Sequence, residues 1–402
     1  MSVAAVADFG STMPDFAWRA VMDADVKASW DIFCCVVDNY GDIGVTWRLA
    51  RQLAAEHDVA VRLWVDDLKS FERLWPSVQP QLASQWQQGV DICQWPLEWP
   101  AVQAADVVIE AFGCTLPEAY RQAMAVRTTP ALWLNLEYLS AESWVSGCHG
   151  LPSPQPDRLQ KYFFFPGFVE KTGGLLREGD LLARRQAFQA DPQARRDFLA
   201  SLGVTVPAGT RLMSLFAYEN ASLGEWLDAL AADASPTHVL VPQGRVLGDV
   251  HAWLAVEALE VGAVHRRGAL SVQVVPFVRQ DQYDLLLWCC DFNAVRGEDS
   301  FVRAQWAGRP LLWHIYEQEE YAHWEKLEAF LALYVEGLSA EAGQALTLLW
   351  RAWNQGKAMG QAWGQVLQHW DELRANAEKW CARQAAQPDL ATALVKFYRN
   401  WI

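Results

Sequence analysis

The chain has 402 residues, of which 52% are hydrophobic and 20% charged, and a formal net charge of −15. That length exceeds one ordinary core and predicts two domains. The acidic balance excludes a nucleic-acid binder, which needs a basic face, and no uncharged apolar run reaches the roughly 18 residues that a membrane span requires.

Residues 1–26 carry Asp8, Asp15, Asp23 and Asp25 and no basic n-region, so they do not read as a signal peptide. They are expected to form a disordered extension, or to follow from a start codon upstream of the natural one near Met22. The apolar run 31–37 reads as a buried strand, and residues 45 to about 57 carry apolar residues at helical spacing. Between them stands Asp38-Asn39-Tyr40-Gly41-Asp42-Ile43-Gly44. Loops at the carboxyl ends of strands are where open α/β sheets bind ligands. The Gly-x-Gly-x-x-Gly fingerprint is absent, so acid and tyrosine replace a phosphate cradle. Such a loop suits a cation, a hydroxylated group or a proton donor.

Further strands are expected at 59–65, 106–109 and 131–134, the last running into Asn135-Leu-Glu137-Tyr138-Leu-Ser-Ala-Glu142. Residues 147–160 are glycine- and proline-rich loop, and the glycines near 173 suit a crossing between domains. A second series follows, with strands at 211–216, 238–242, 271–276, 291–295 and 310–313, and helices at 222–232 and 280–288. Alternation of strand and helix means βαβ units and parallel sheets. From about 317 the pattern is helical, and Pro388 is expected in the first turn of a last helix, 389–402. The eight cysteines form no Cys-x-x-Cys pair and read as small core residues of a protein from the reducing cytoplasm. Most of the 22 tryptophans read as core. The histidines have no metal spacing, so no metal is expected.

In the second series, Arg296-Gly297-Glu298-Asp299-Ser300 follows a strand and opens a helix. The free N–H groups there attract anions, and a diphosphate is well placed beside Arg296 and Ser300. Asp299 or Ser300 as a plain helix cap is the competing reading. Phe216, Tyr218, Phe277, Tyr283 and Tyr316 follow strand ends of the same series, where flat rings can sandwich a base and Gln280 can bond it. Ordinary core packing is the alternative for each.

Residues 38–53, 135–142 and 296–306 carry long ungapped motifs that resemble the bacterial elongation factor P arginine rhamnosyltransferases, a resemblance that runs from about residue 27 to the end. It implies a GT-B fold, two Rossmann-like domains facing each other across a cleft, with C-terminal helices. The implied layout is an acceptor domain of 27–178 completed by 386–402, a linker at 179–208, a nucleotide-sugar domain of 209–370 and a helical crossover at 371–385. It also implies an inverting, metal-independent enzyme. The donor would be dTDP-β-L-rhamnose. The acceptor would be one arginine of elongation factor P, a factor that rescues ribosomes stalled on polyproline. Asp38, Asp42 and Glu298 fall on the family's catalytic positions, within a glycine loop that includes Asn39, Tyr40, Gly41 and Gly44. Phe216, Tyr218, Phe277, Gln280, Tyr283, Arg296, Asp299, Ser300 and Tyr316 fall on its donor-binding positions.

The chemistry fits these residues. Deprotonating a guanidinium at neutral pH costs roughly 7–8 kcal/mol, about 1.36 per pKa unit. One carboxylate must therefore take the proton as the new bond forms, and another must hold the guanidinium. Asp42 is expected as the base and Asp38 as the orienter, and the residues leave the order open. Asp42 as cap of a helix beginning near Ile43 is the structural alternative. Two other functions remain open on the residues: a GT-B transferase for another sugar and acceptor, and a tryptophan-rich binding protein without catalysis.

Overall fold

The computed structural model describes residues 27–37, 40–155, 159–317 and 321–402. The expected extension, 1–26, and the loop residues Asp38 and Asn39 lie outside them. The first sheet holds β1 (Ser29–Cys34), β2 (Ala60–Val65), β3 (Ser84–Gln87), β4 (Val90–Gln94), β5 (Val107–Ala111), β6 (Leu132–Leu136), β7 (Pro152–Pro154) and β8 (Gln160–Phe164), in the order 3-4-2-1-5-6-8-7. The second holds β9 (Arg211–Leu215), β10 (Thr237–Pro242), β11 (Val264–Arg267), β12 (Leu270–Val275), β13 (Phe292–Arg296) and β14 (Leu311–His314), in the order 11-12-10-9-13-14. Central strands pair in parallel; β3 with β4, β7 with β8 and β11 with β12 are antiparallel edges.

The central strands are apolar because helices cover both faces of a parallel sheet. In β1, β5 and β6 every residue is buried. The chain order reverses between β1 and β5 in the first sheet and between β9 and β13 in the second. Those are the two topological switch points, where such sheets bind ligands.

Several expected boundaries move. The first helix is Gly41–Glu56, four residues earlier than its apolar spacing suggests, so Asp42 and Gly44 lie inside its first turn. Tyr40 is the N-cap position and no side chain caps it, so Asp42 is not the cap. An acid in the first turn still suits the helix dipole. The segment 179–208, expected as linker, contains two packed helices, Leu181–Ala190 and Pro192–Ser201. The last helix is Leu390–Trp401, capped by Asp389 through Thr392 N–H at 3.0 Å, and Pro388 precedes that cap.

Trp226, Trp350, Trp353 and Trp363 are buried in the core of the second sheet, as expected of most tryptophans; Trp86 and Trp144 are exposed. The helix Trp370–Ala385 buries Trp380 in that same core. The following helix returns to the first core with Leu390, Ala391, Leu394 and Val395. Gly174 fixes this return: its φ is +67°, and a Cβ there would stand 2.2 Å from the Pro388 carbonyl oxygen.

Gly174→Ala is therefore expected to lower the thermal midpoint strongly, by about 2–4 kcal/mol in stability. Gly203→Ala, at φ +71° with nothing within 4 Å of a new Cβ, should cost only about 1–2 kcal/mol. Equal losses in paired melting curves would sink the steric account.

Candidate active site

The two switch points face each other across a cleft, and a buried ionic cluster fixes their approach. Arg48, on the first helix, has no exposed side-chain surface. Its Nε and Nη2 donate to Glu178 at 2.9 and 2.7 Å, and its Nη1 donates to Asp299 Oδ1 at 2.9 Å. Asp299 Oδ2 also accepts from Arg303 Nε at 2.9 Å, and Arg303 Nη1 reaches Asp284 at 2.8 Å. Burial opposes the charge on Asp299, but Arg303 and Arg48 overcome it and hold the carboxyl below its ordinary range. Gln280 spans the same seam: its Nε2 donates to the Gly44 carbonyl at 2.8 Å and to Asp299 at 3.1 Å, and its Oε1 accepts from Arg51 at 3.2 Å. Gly44 has to be small, since a Cβ would press on Asp299 and Gln280 at 3.2 and 3.3 Å.

Two expected donor-binding groups are thus engaged elsewhere. Asp299 gives both oxygens to arginines, and Gln280 gives its amide to the seam, because an unpaired charge or amide there would be costly. Ser300 is likewise occupied, bonded through Oγ to the backbone N–H and carbonyl of Arg296. No side chain caps the helix Asp299–Trp306, whose N-cap position is Glu298, so neither Asp299 nor Ser300 is its cap.

The first cavity in the cleft is lined by Tyr40, Phe216, Phe277, Tyr283, Arg296 and the Gly297–Ser300 turn. Phe216 meets Tyr283 edge-on at 5.7 Å, and Tyr40 meets Phe277 across the cleft at 5.3 Å. The Arg296 guanidinium lies over both Phe216 and Tyr218, at 4.8 and 4.6 Å. Its buried Nη1 and the buried Tyr283 hydroxyl have no hydrogen-bond partner among the described residues. A cation with a spare donor, aromatic rings and an uncapped helix start are the parts a nucleoside diphosphate needs. The free space between these rings is about 60 Å³, under the roughly 300–1,000 Å³ of ligand sites.

The second cavity, about 360 Å³, adjoins the first and is lined by Asp42, Phe112, Tyr138, Glu298, Trp313, Tyr316, Glu317 and Lys326 among others. Tyr316 stands here rather than in the first cavity, while Tyr218 backs Arg296. Asp42 is buried; its Oδ2 accepts from Val37 N–H at 2.9 Å, and its Oδ1 lies 3.4 Å from the Tyr138 hydroxyl. Phe112, in the left-handed region at φ 58°, stacks on Tyr138 with centroids 4.9 Å apart. Backbone strain of that kind is held where the surroundings require it, often at a binding site. Glu298 lines both cavities and accepts from Leu139 N–H at 2.9 Å. Burial pushes its carboxyl up to about 7 against the pull of Lys326 and the Leu139 N–H, with Asp42 and Asp299 adding to the rise.

Sequence reasoning missed Phe112, Tyr138 and Lys326 as site residues. The first two had a signal, since both follow strand ends at the switch-point side of the sheet. Lys326, inside the helix Ala322–Tyr334, had none. Among the described residues no group of three or more His, Cys, Asp or Glu side chains could hold a metal ion.

The profile of the family described as "Elongation-Factor P (EF-P) rhamnosyltransferase EarP" matches residues 30–399. A protein-arginine rhamnosyltransferase of Pseudomonas putida is 67% identical over 375 residues, covering 93% of this chain and 100% of the relative. Its counterpart from Pseudomonas aeruginosa is 60% identical with the same coverage. A solved structure described as the basis for EarP-mediated arginine glycosylation of translation elongation factor EF-P is 52% identical, with a TM-score of 0.69, over 94% of this chain and 100% of that one. A glycosyltransferase from Rickettsia africae, 10% identical with a TM-score of 0.53 over 93% of this chain and 98% of that one, shares the fold alone. The two facing parallel-sheet halves are those of a GT-B protein, and the chain belongs to the elongation-factor P rhamnosyltransferase family.

Proposed function

We propose that this protein transfers L-rhamnose from dTDP-β-L-rhamnose to one arginine of elongation factor P, with inversion at the sugar carbon and without a metal. The observation that carries this is the position of Glu298, shared by a cavity built for a nucleoside diphosphate and one built for a cation. The thymine base stacks among Phe216, Phe277 and Tyr283. Arg296 and the start of the helix Asp299–Trp306 meet the charge that develops on the leaving diphosphate.

The acceptor guanidinium enters the second cavity, where Tyr138 offers a ring and Asp42 and Glu298 offer carboxylates. Asp42 is the base. Its Oδ2 accepts from Val37 N–H and its Oδ1 lies 3.4 Å from the Tyr138 hydroxyl, which hold the carboxylate toward the second cavity. As the guanidinium nitrogen bonds to the sugar carbon and the bond to diphosphate breaks, Asp42 takes the nitrogen's proton. Glu298 holds the guanidinium's other edge and fixes which nitrogen attacks. Asp38 belongs to this reading as a second orienting carboxylate. Such a modification of a translation factor takes place in the cytoplasm, and its consequence is the rescue of ribosomes stalled on polyproline.

Mass spectrometry of unmodified elongation factor P incubated with this protein and dTDP-β-L-rhamnose should show one added deoxyhexose on a single arginine, with or without EDTA. No addition, with dTDP still bound, would point instead to another sugar or acceptor. Asp42→Asn should lower kcat by at least about 100-fold while leaving dTDP affinity and the melting curve unchanged; an active variant would remove Asp42 as the base.

Glu298 supplies a pH prediction. Its carboxyl rises in the folded state to about 7 from an ordinary 4.5. Folding thus costs nothing through this group below about pH 4.5, and the cost grows until it is complete above pH 7. Glu298→Gln should raise stability at pH 8 by about 1–3 kcal/mol, change it little at pH 4.5, and abolish transfer. In the parent protein kcat/KM should rise through about pH 7 as Glu298 ionises. Identical melting shifts at the two pH values would contradict this account.

A further inference from the structure

We propose that Lys326 is a resident cation of the second cavity: it occupies the place on the Tyr138 ring that the acceptor guanidinium takes, and it keeps Asp42 and Glu298 compatible as neighbours until that guanidinium arrives. The inference rests on the functional reading above and adds a positioning residue to it.

Lys326 projects from the helix Ala322–Tyr334 of the second half, and its ammonium lies over the Tyr138 ring of the first half, 5.5 Å from the centroid. A ring has two faces, and Phe112 stacks on one of them. Tyr138 is thus engaged both by the Phe112 ring and by the Lys326 ammonium. No carboxylate forms an ion pair with Lys326 within 4.0 Å among the described residues, so it is not locked in a salt bridge.

The charges around it give it a purpose. Asp42 on the first helix, Glu298 at the head of the helix Asp299–Trp306, and Glu317 after β14 line the same cavity as Lys326. Asp299, next to Glu298, is already neutralised by Arg48 and Arg303. Carboxylates that share a low-dielectric site raise each other's proton affinity, and a cation between them reverses this. Lys326 is the cation that draws the Glu298 carboxyl down against burial. Burial lowers the proton affinity of Lys326, and Glu298, Glu142 and Glu137 work against that loss. A guanidinium is less strongly hydrated than an ammonium and stacks better on a ring. Exchange of lysine for acceptor arginine thus conserves the charge of the cavity and improves the stack.

The test uses the full chain, unmodified elongation factor P and dTDP-β-L-rhamnose, and compares kcat/KM against pH for the parent, Lys326→Met and Lys326→Arg. Lys326→Met should move the acid limb to higher pH by about one unit, with activity returning to within a few-fold of the parent at alkaline pH. Lys326→Arg should leave the limb in place but raise the KM for the acceptor protein by about tenfold, because a resident guanidinium is harder to displace. Equal dTDP affinity in all three reports intact folding. An unmoved acid limb in Lys326→Met, or a uniform loss at every pH that Lys326→Arg fully restores, would overturn the proposal. Melting curves provide a readout without turnover: Lys326→Met should be destabilised at pH 8 but hardly at pH 5, and equal losses at both would also overturn it. Absence of transfer by the parent counts against the functional reading instead, and the melting curves then still decide whether Lys326 balances Glu298.

Discussion

Arg48 carries a full positive charge with no contact to solvent, and a charge in that position has to be balanced by groups brought to it. Glu178 comes from the segment leading out of the first half, and Asp299 comes from the second half. Burial works against the Arg48 charge, and Glu178 and Asp299 more than restore it. Neither half can satisfy this guanidinium by itself. Buried ion pairs of this kind contribute little net stability over an apolar replacement, but losing one partner is expensive. Their value lies in register: Asp299 can be satisfied only when the helix Asp299–Trp306 stands at one distance from the first helix. Gly44 permits that distance and Gln280 adds a hydrogen bond to it.

With the seam set, the two switch points are held opposite each other, and Glu298 falls between them. The residue before Asp299 could not be elsewhere, because Asp299 is anchored on both oxygens. The first cavity keeps an unpaired guanidinium nitrogen and an uncapped helix start; the second keeps carboxylates around an aromatic ring. Both arrangements are unfavourable for a protein by itself and favourable for a bound anion and a bound cation. The raised carboxyl of Glu298 and the left-handed backbone of Phe112 are two signs of this stored cost. Tyr40 meets Phe277 across the narrow first cavity, beside the seam.

Most central strands were legible in the sequence because parallel strands buried on both faces read as largely apolar runs, as in β1 and β5, whereas the inner strands β4 and β8 were not expected, since Val90-Asp-Ile-Cys-Gln94 and Gln160-Lys-Tyr-Phe-Phe164 interrupt that run with polar residues. The edge strands β3 and β11 were not, since Ser84-Gln-Trp-Gln87 and Val264-His-Arg-Arg267 are polar and need only one pairing neighbour. The early start of the first helix escaped notice because Gly41 and Asp42 have low helix propensity, and packing against the second half overrides it.

The sequence by itself determined the fold class, the family and the loops that carry the chemistry, because period, strand-end position and long ungapped motifs are properties of neighbours along the chain. It placed Asp42, Arg296, Glu298 and the aromatic residues at the correct ends of their strands. Only the tertiary structure decided which of these side chains are free. Asp299, Gln280 and Ser300 looked equivalent to Arg296 in sequence, yet each is engaged by a partner between 4 and 251 positions away. Tyr138 and Lys326 meet across 188 residues of chain. Charge balance in a buried site depends on distance in space, and residue spacing along a chain carries no information about it.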